Sequence, residues 1–354
     1  MNQIKNIPFP LKVNLKVEEI QSLFSICKDI RNHNKQFHYQ IFISNSWSLD
    51  NTEDYTLNQE LKPTMSYQLG RFQHPDKISE IIISVILLTH EVNPSDYYKL
   101  VFKNTAEIIL TERIIDTPLG SMSDLLTISS KDIEYISRTF MIKDANRLFI
   151  IKGRAQRKAY NELAEYFLFS LSSFQLIHYE GTLVEKLEQF TCKKPIDCMF
   201  LYPSSWKMNQ MLSDDSQQNI FELFNENDHN ASGKIHLNIF PPLKNMTPQM
   251  IVIQYVKMLN ANGFSVNGAP LQPTELAKQF NNTVLAALTG SVNSKHMEFP
   301  VYILEHDKAC LLLGLITPAF KSSPEWWAIN KRAFEIVRDS LIVGDTKFED
   351  NESP

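Results

Sequence analysis

Glycine is scarce in this sequence, at 10 of 354 residues, well under the ~7% of an average protein. Loops that cradle phosphates use glycine to bring backbone N–H groups close to the ligand. No G-x-G-x-x-G, G-x-x-x-x-G-K-[ST] or G-x-S-x-G occurs, which argues against the nucleotide-binding folds that rely on such loops. Cysteine is also sparse. Of the four, Cys27, Cys192, Cys198 and Cys310, the middle two stand too far apart for a C-x-x-C redox or zinc knuckle. Reduced thiols in a reducing compartment are the simpler reading. Long apolar runs are missing as well: Ile81 to Leu88 and Cys310 to Ile316 fall far short of the ~20 residues of a membrane span. There is no excess of basic charge. The net charge is -5 and the pI near 6.0, so nothing draws the chain towards nucleic acid or anionic lipid. The N-terminus has no uninterrupted apolar stretch of the secretory kind. The expectation is a cytoplasmic protein, on which the glycosylation-like triplets at Asn230, Asn245 and Asn281 are chance matches.

What is present is enough apolar residue, 43%, for two domains with a core each. Residues 1–36 read as an N-terminal helical lead-in, with Val17, Ile20, Phe24, Cys27 and Ile30 at helical spacing. The period then changes to two. Phe37, Tyr39, Ile41 and Ile43 alternate into Asn45-Ser46-Trp47, a strand ending in a turn. Strands over 67–72 and 78–88 follow, then a helix entered at Asn93-Pro94. Further strands are predicted around 107–115, 133–142 and 147–152, with a closing helix marked by Tyr160, Leu163, Phe167, Leu171 and Phe174.

The second half repeats that order. Strand 196–201 ends in Tyr202-Pro203-Ser204-Ser205-Trp206, strands 219–224 and 234–240 follow, and Thr247-Pro248 opens a helix as Asn93-Pro94 does. Strands at 283–288, 300–305 and 309–316 precede a helix from Ser323, whose apolar face is Trp326, Ile329, Ala333, Val337 and Leu341. Internal repetition decides a fold. It points here to an α+β chain of two tandem modules, each a curved antiparallel sheet packed with helices. The boundaries are 37–176 for the first module, 177–195 for a polar connector, 196–344 for the second module and 345–354 for an acidic tail.

The strand-to-Trp opening at Leu201-Tyr202-Pro203-Ser204-Ser205-Trp206, the last helix over 323–341, and the matching landmarks at Ser46-Trp47, 91–98 and 160–174 resemble the PsbP/DcrB-like fold. The chain departs from it in the extra N-terminal segment and in Asn45, where that family more often has proline. One branch with that fold, the Eag chaperones of type VI secretion, is similar in lacking a signal peptide. Those proteins hold apolar transmembrane segments of effectors and work as pairs of modules. The resemblance implies a non-enzymatic adaptor or chaperone with a protein partner such as a secreted effector or a machinery component.

Tests for chemistry return little. None of the nine histidines stands in H-E-x-x-H, and His90-Glu91 on a strand would face opposite ways. His236, between Ile235 and Leu237, reads as a half-exposed strand residue. Asp144 and Asp307 fit hairpin turns, and Asp214-Asp215 a polar loop. Ser121 has no base that the sequence places beside it. Arg147, Lys152, Arg154, Arg157 and Lys158 form a basic stretch, read as a solvated edge with an acidic protein as the better partner than nucleic acid. No catalytic set, cofactor or metal site is expected. The partner-facing candidates are apolar. Trp326 and Trp327 are adjacent and lie ~100° apart on a helix, so both cannot face one core. Met246, Met250 and Met258, with Tyr255, give the 247–260 helix a soft apolar surface suited to varied helical clients. A structural subunit of a secretion or envelope-associated complex is the alternative.

Overall fold

The computed structural model describes residues 7–50, 62, 65–103, 107–117, 120–129, 134–181, 183–193, 196–211, 219–225, 233–242, 246–276 and 279–344. The acidic tail at 345–354, the Asp214-Asp215 pair and the middle of the turn expected at 117–120 lie outside them. The chain forms two compact units, 1–184 and 185–354, and the architecture is α+β.

In the first unit, α1 (Val17–Leu23) leads into β1 (Phe24–Asp29), β2 (Tyr39–Ser44) and β3 (Ser48–Leu49). Then come β4 (Ser66–Gln73), β5 (Glu80–Leu87), α2 (Pro94–Lys103), β6 (Glu107–Thr117) and β7 (Gly120–Ser129). The unit closes with β8 (Tyr135–Asp144), β9 (Arg147–Gln156), α3 (Arg157–Ser172) and β10 (Gln175–Leu176). All strand pairs are antiparallel. The large sheet runs β3-β4-β5-β9-β8-β7-β6, and a small one runs β1-β2-β10.

The second unit begins with β11 (Leu187–Cys192), β12 (Cys198–Pro203), β13 (Trp206–Met211), β14 (Asn219–Asn225) and β15 (Lys234–Phe240). After α4 (Pro248–Ala261) come two short strands, β16 (Ser265–Asn267) and β17 (Leu271–Pro273), then β18 (Asn282–Val292), β19 (Lys295–His306) and β20 (Ala309–Pro318). Last are α5 (Pro324–Ser340) and β21 (Ile342–Val343). Its large sheet runs β13-β14-β15-β20-β19-β18-β16, with β17 also on β18, and its small sheet runs β11-β12-β21. The two units therefore share one strand order, strand for strand, save that the single β6 of the first is replaced by β16 and β17.

Two boundaries differ from the sequence reading, for physical reasons. The lead-in 1–36 is helical only to Leu23. From Phe24 the backbone is extended and pairs residue by residue with β2, Phe24 opposite Ser44 and Asp29 opposite Tyr39. The apolar residues at helical spacing do not make a buried helical face: Val17 and Ile30 are exposed, Ile20 is half-buried, and Phe24 and Cys27 lie on the strand β1. The connector 177–195 also divides. The Asp144 carboxylate accepts from the backbone N–H groups of Glu180 and Gly181 at 2.8 and 3.0 Å, and Glu91 accepts from that of Val184. These bonds tie Glu180, Gly181 and Val184 to the first unit, whereas Leu187 to Cys192 is a strand of the second.

The pleat sets what each helix meets. On β15 and β20 the side chains of Ile235, Leu237, Leu311, Leu313 and Leu315 join α5's Ala333, Phe334 and Val337 in one core cluster. Alternate residues Cys310, Leu312 and Ile316 join α4's Ile251, Val252, Tyr255 and Leu259 in another. So α4 and α5 cover opposite faces of the second sheet, and β20, buried along its whole length, lies between them.

Candidate functional site: a groove between a helix and the second sheet

The candidate site is built by α4 and the sheet face beneath it. Thr247 caps the helix, its hydroxyl accepting from the Met250 N–H at 3.3 Å, and Pro248 fits the first turn, where no N–H is needed. At the far end Gly263 takes φ of 86°, which glycine adopts without strain, and the chain turns back into β16.

Along α4, Tyr255 is buried at 3% exposure. It lands on Gly314 of β20, where an added Cβ would stand 2.7 Å from the phenol oxygen. That glycine is the seat for the ring. The Tyr255 hydroxyl is 3.1 Å from His236 Nδ1, and His236 Nε2 is 3.1 Å from Glu222 Oε1. Lys234 Nζ donates to the same oxygen at 2.9 Å. Glu222 and His236 are direct cross-strand partners, so the pleat alone puts them on one face. Hydrogen bonds from His236 and then Lys234, with the charge of Lys234, outweigh desolvation and pull the Glu222 carboxyl down to about 2. Burial, reinforced by the charge of Glu222, pushes the Tyr255 phenol up. The ionised carboxylate only accepts, so Nε2 carries its proton towards Glu222, and in the neutral imidazole the phenol donates to Nδ1.

Above this polar floor is a cavity of about 770 Å³. Its walls are mostly apolar: Ile220, Phe240, Met258, Phe264, Leu312 and Ile316. Asn238 also lines it, and its buried Oδ1 meets no hydrogen-bond donor among the described residues. The chemistry is that of a grip. The titratable groups of the floor are matched to one another, which leaves the apolar walls to hold an occupant. Among the described residues no three His, Cys, Asp or Glu side chains converge as metal ligands would, and no described helix is long and apolar enough to cross a membrane.

The structure divides the six residues predicted from sequence between two places. Tyr255 and Met258 line the groove, and Met246 packs half-buried against the same core. Met250 faces outward beside Ile253, each 45% exposed. Trp326 and Trp327 begin α5 on the opposite sheet face, both half-buried. Trp327 Nε1 donates to Glu298 Oε2 at 2.8 Å, its ring meets Phe320 edge-on at 5.3 Å, and the Lys331 ammonium lies 4.9 Å from the ring centre. Sequence reasoning missed Glu222, Lys234 and Asn238, and read His236 as half-exposed. The available signal was Gly314 inside the otherwise apolar run Cys310 to Ile316, since a strand glycine marks a close approach.

No family model matches the chain, and no curated protein matches it. Among solved structures it is similar to PsbP from Synechocystis sp. PCC 6803, at 9% identity over 44% of this chain and 93% of that one, with a TM-score of 0.32. It is similar to the immunity protein TplEi of the type VI secretion system from Pseudomonas aeruginosa, at 13% identity over 87% of this chain and 95% of that one, TM-score 0.26. A chain of the Tle4–Tli4 complex is similar at 11% identity over the same shares, TM-score 0.25. The PsbP resemblance read from the sequence thus reappears among solved structures. Likenesses of this level carry no argument about what the chain binds.

Proposed function

We propose that the chain is a non-enzymatic adaptor or chaperone that holds an apolar helical segment of a client protein in the groove under α4. The observation that supports this reading is the cavity of about 770 Å³ with a mostly apolar wall over a floor whose titratable groups bond one another. A volume of that order, in the range of ~300–1,000 Å³ typical of ligand pockets, takes several side chains of a helix at i, i+3 and i+4 spacing. Met258 on the wall suits a site that accepts varied apolar shapes. An enzyme reading needs a reactive atom open to substrate, and the phenol that ends the chain of Glu222, His236 and Tyr255 is buried, its proton held more tightly for that burial. The likeness of the sequence to Eag chaperones suggests a cytoplasmic role in a secretion system.

A photo-crosslinking amino acid in place of Met258, in the tagged full chain expressed in its own host, tests the reading. Crosslinks mapped by mass spectrometry to apolar helical segments of secreted proteins are the expected result. No protein adduct, or capture only of a small molecule, overturns it. A second reading, a structural subunit of a secretion or envelope-associated complex, draws on Met250 and Ile253 exposed on the outer face of α4. A crosslinker at Met250 would then capture a fixed partner at constant stoichiometry while one at Met258 captured nothing.

A further inference from the structure

Spacing along the chain separates Cys192 from Cys198, but the small sheet of the second unit brings them together. They are direct cross-strand partners at the turn end of β11 and β12. In an antiparallel pair such residues point to one face, with Cα atoms ~4.5 or ~5.5 Å apart according to the type of pair. Both separations lie within the ~4.4–6.8 Å over which a disulfide closes. The Asn219 amide donates to the Cys192 sulfur at 3.4 Å. Cys198 is buried in the middle strand of the sheet, with Val343 on its other side. Cys192 is half-buried, and both line a cavity of about 250 Å³ with Lys193, Asp197, Ile342 and Gly344. The other cysteines have no thiol across from them: Cys27 faces Ile41, and Cys310 lies between Phe240 and Glu305.

We propose that Cys192 and Cys198 are a thiol–disulfide pair, closed into an intramolecular bond by a small disulfide oxidant such as oxidised glutathione. Burial, then the neighbouring thiol, pushes Cys198 up to about 12, so Cys192 on its cavity is the sulfur that reacts first. The Cys192 thiolate attacks one glutathione sulfur, forming a mixed disulfide and expelling the other as a thiolate. Cys198 gives up its proton and attacks the Cys192 sulfur, which expels the second glutathione thiolate. The protein loses two electrons and two protons, and the oxidant gains them as two thiols. The bond ties β11 to β12 beside the point where the Gly344 N–H meets the Asp197 carbonyl at 2.8 Å, so redox state governs whether the edge strand of the small sheet can open. The inference is independent of what fills the α4 groove.

The test equilibrates the full chain in glutathione buffers from fully reduced to fully oxidised, then quenches in acid, unfolds, alkylates and maps peptides by mass spectrometry. The expected product joins Cys192 to Cys198 and is two hydrogens lighter than the reduced pair, while Cys27 and Cys310 are alkylated. Cys192→Ser abolishes it, and Cys198→Ser leaves glutathione attached to Cys192. Alkylation of all four cysteines after full oxidation overturns the proposal. So does a glutathione adduct that persists on Cys192 in the unaltered chain, or a disulfide between two chains.

Discussion

In the first unit β8 and β9 turn with Asp144 opposite Arg147, and in the second β19 and β20 turn with His306 opposite Ala309. Counted from these turns, Lys152 of the first unit stands where Gly314 stands in the second. Their partners, Ile82 and His236, correspond too, and beyond them Arg71 and Glu80 take the places of Glu222 and Lys234. Both units keep an ion pair there with the signs exchanged, Arg71 to Glu80 at 2.8 Å and Lys234 to Glu222 at 2.9 Å. The difference lies in what covers it. In the first unit Lys152 rises from the strand and bonds Glu107, and Arg154 meets Glu80 at 2.7 Å, so the face is spanned by charges. In the second, the missing side chain at Gly314 lets Tyr255 come down from α4 and leaves a groove beside it. On the other face the first unit is again the charged one. The first unit buries Asp124 and Arg138 where the second has Leu285 and Pro300. One strand order thus supports a charge-pinned unit and a grooved one.

The largest expected effect falls on the pinned unit. Arg138 is fully buried, donating to Asp124 at 3.0 and 2.7 Å and to the Pro10 carbonyl at 2.9 Å, with the Phe9 ring 4.4 Å away. Arg138→Ala leaves a buried carboxylate with Arg113 as its remaining partner. The cost is about 3–5 kcal/mol, with release of the segment around Phe9. Pro300→Ala at the matching place loses no charge partner and costs far less. Denaturant unfolding reads the two separately, since Trp47 is the tryptophan of the first unit and Trp206, Trp326 and Trp327 belong to the second. Equal losses would break the comparison.

Next is the seat of the groove. Gly314→Ala puts a methyl 2.7 Å from the Tyr255 oxygen, an overpacking that costs about 1–3 kcal/mol and displaces the ring from His236. Lys152→Ala removes an ion pair of the first unit, with side chains 19% and 17% accessible, and leaves the seat of Tyr255 untouched, so Met258 crosslinking is expected to survive it. If Gly314→Ala leaves both stability and Met258 crosslinking unchanged, Gly314 is not what opens the groove.

Acid separates the units in a different way. The Glu222 carboxyl is lowered from 4.5 to about 2 in the folded chain, so the unfolded chain takes up its proton at higher pH. The stability it contributes is complete above 4.5 and is lost as pH falls through about 2. Asp76 in the first unit behaves likewise, from 3.8 to about 2: burial raises it, but hydrogen bonds from Ser79 and Ile78 prevail. Glu222→Gln is therefore expected to flatten the acid limb of the second unit's unfolding midpoint and leave that of the first. An unchanged limb in the second unit would show that the Glu222 bonds add nothing to folding.

Which of these features were legible follows from how far apart their causes lie. β15 could be read because Ile235, Leu237 and Ile239 alternate within one strand, and α4 because Thr247-Pro248 carries its own start. α1 and β1 could not be read correctly. Their apolar spacing is local, whereas the hydrogen bonds that make Phe24 to Asp29 a strand come from β2. Arg147, read within a solvated basic stretch, is 1% exposed and bonds Asp144 at 2.5 Å, because alternation does not distinguish a charge facing water from one facing a partner. The groove was half legible. Tyr255 and Met258 stood out as apolar groups on a helix, but Glu222, His236 and Asn238 each pass for the outward residue of a strand until Tyr255 covers them.

The smallest effect is also the most selective. Tyr255→Phe keeps the ring on Gly314 and the walls of the groove, and removes only the hydroxyl that donates to His236 Nδ1. A net loss of about 1 kcal/mol is expected, the ordinary contribution of one hydrogen bond, with Met258 crosslinking retained. Tyr98, the buried tyrosine of α2 in the first unit, serves as the control, since Tyr98→Phe touches no part of the groove. Loss of crosslinking in Tyr255→Phe with stability intact would mean that an occupant reads the polar floor directly, and the groove would then be a site for a partner carrying its own donors and acceptors rather than an apolar helix.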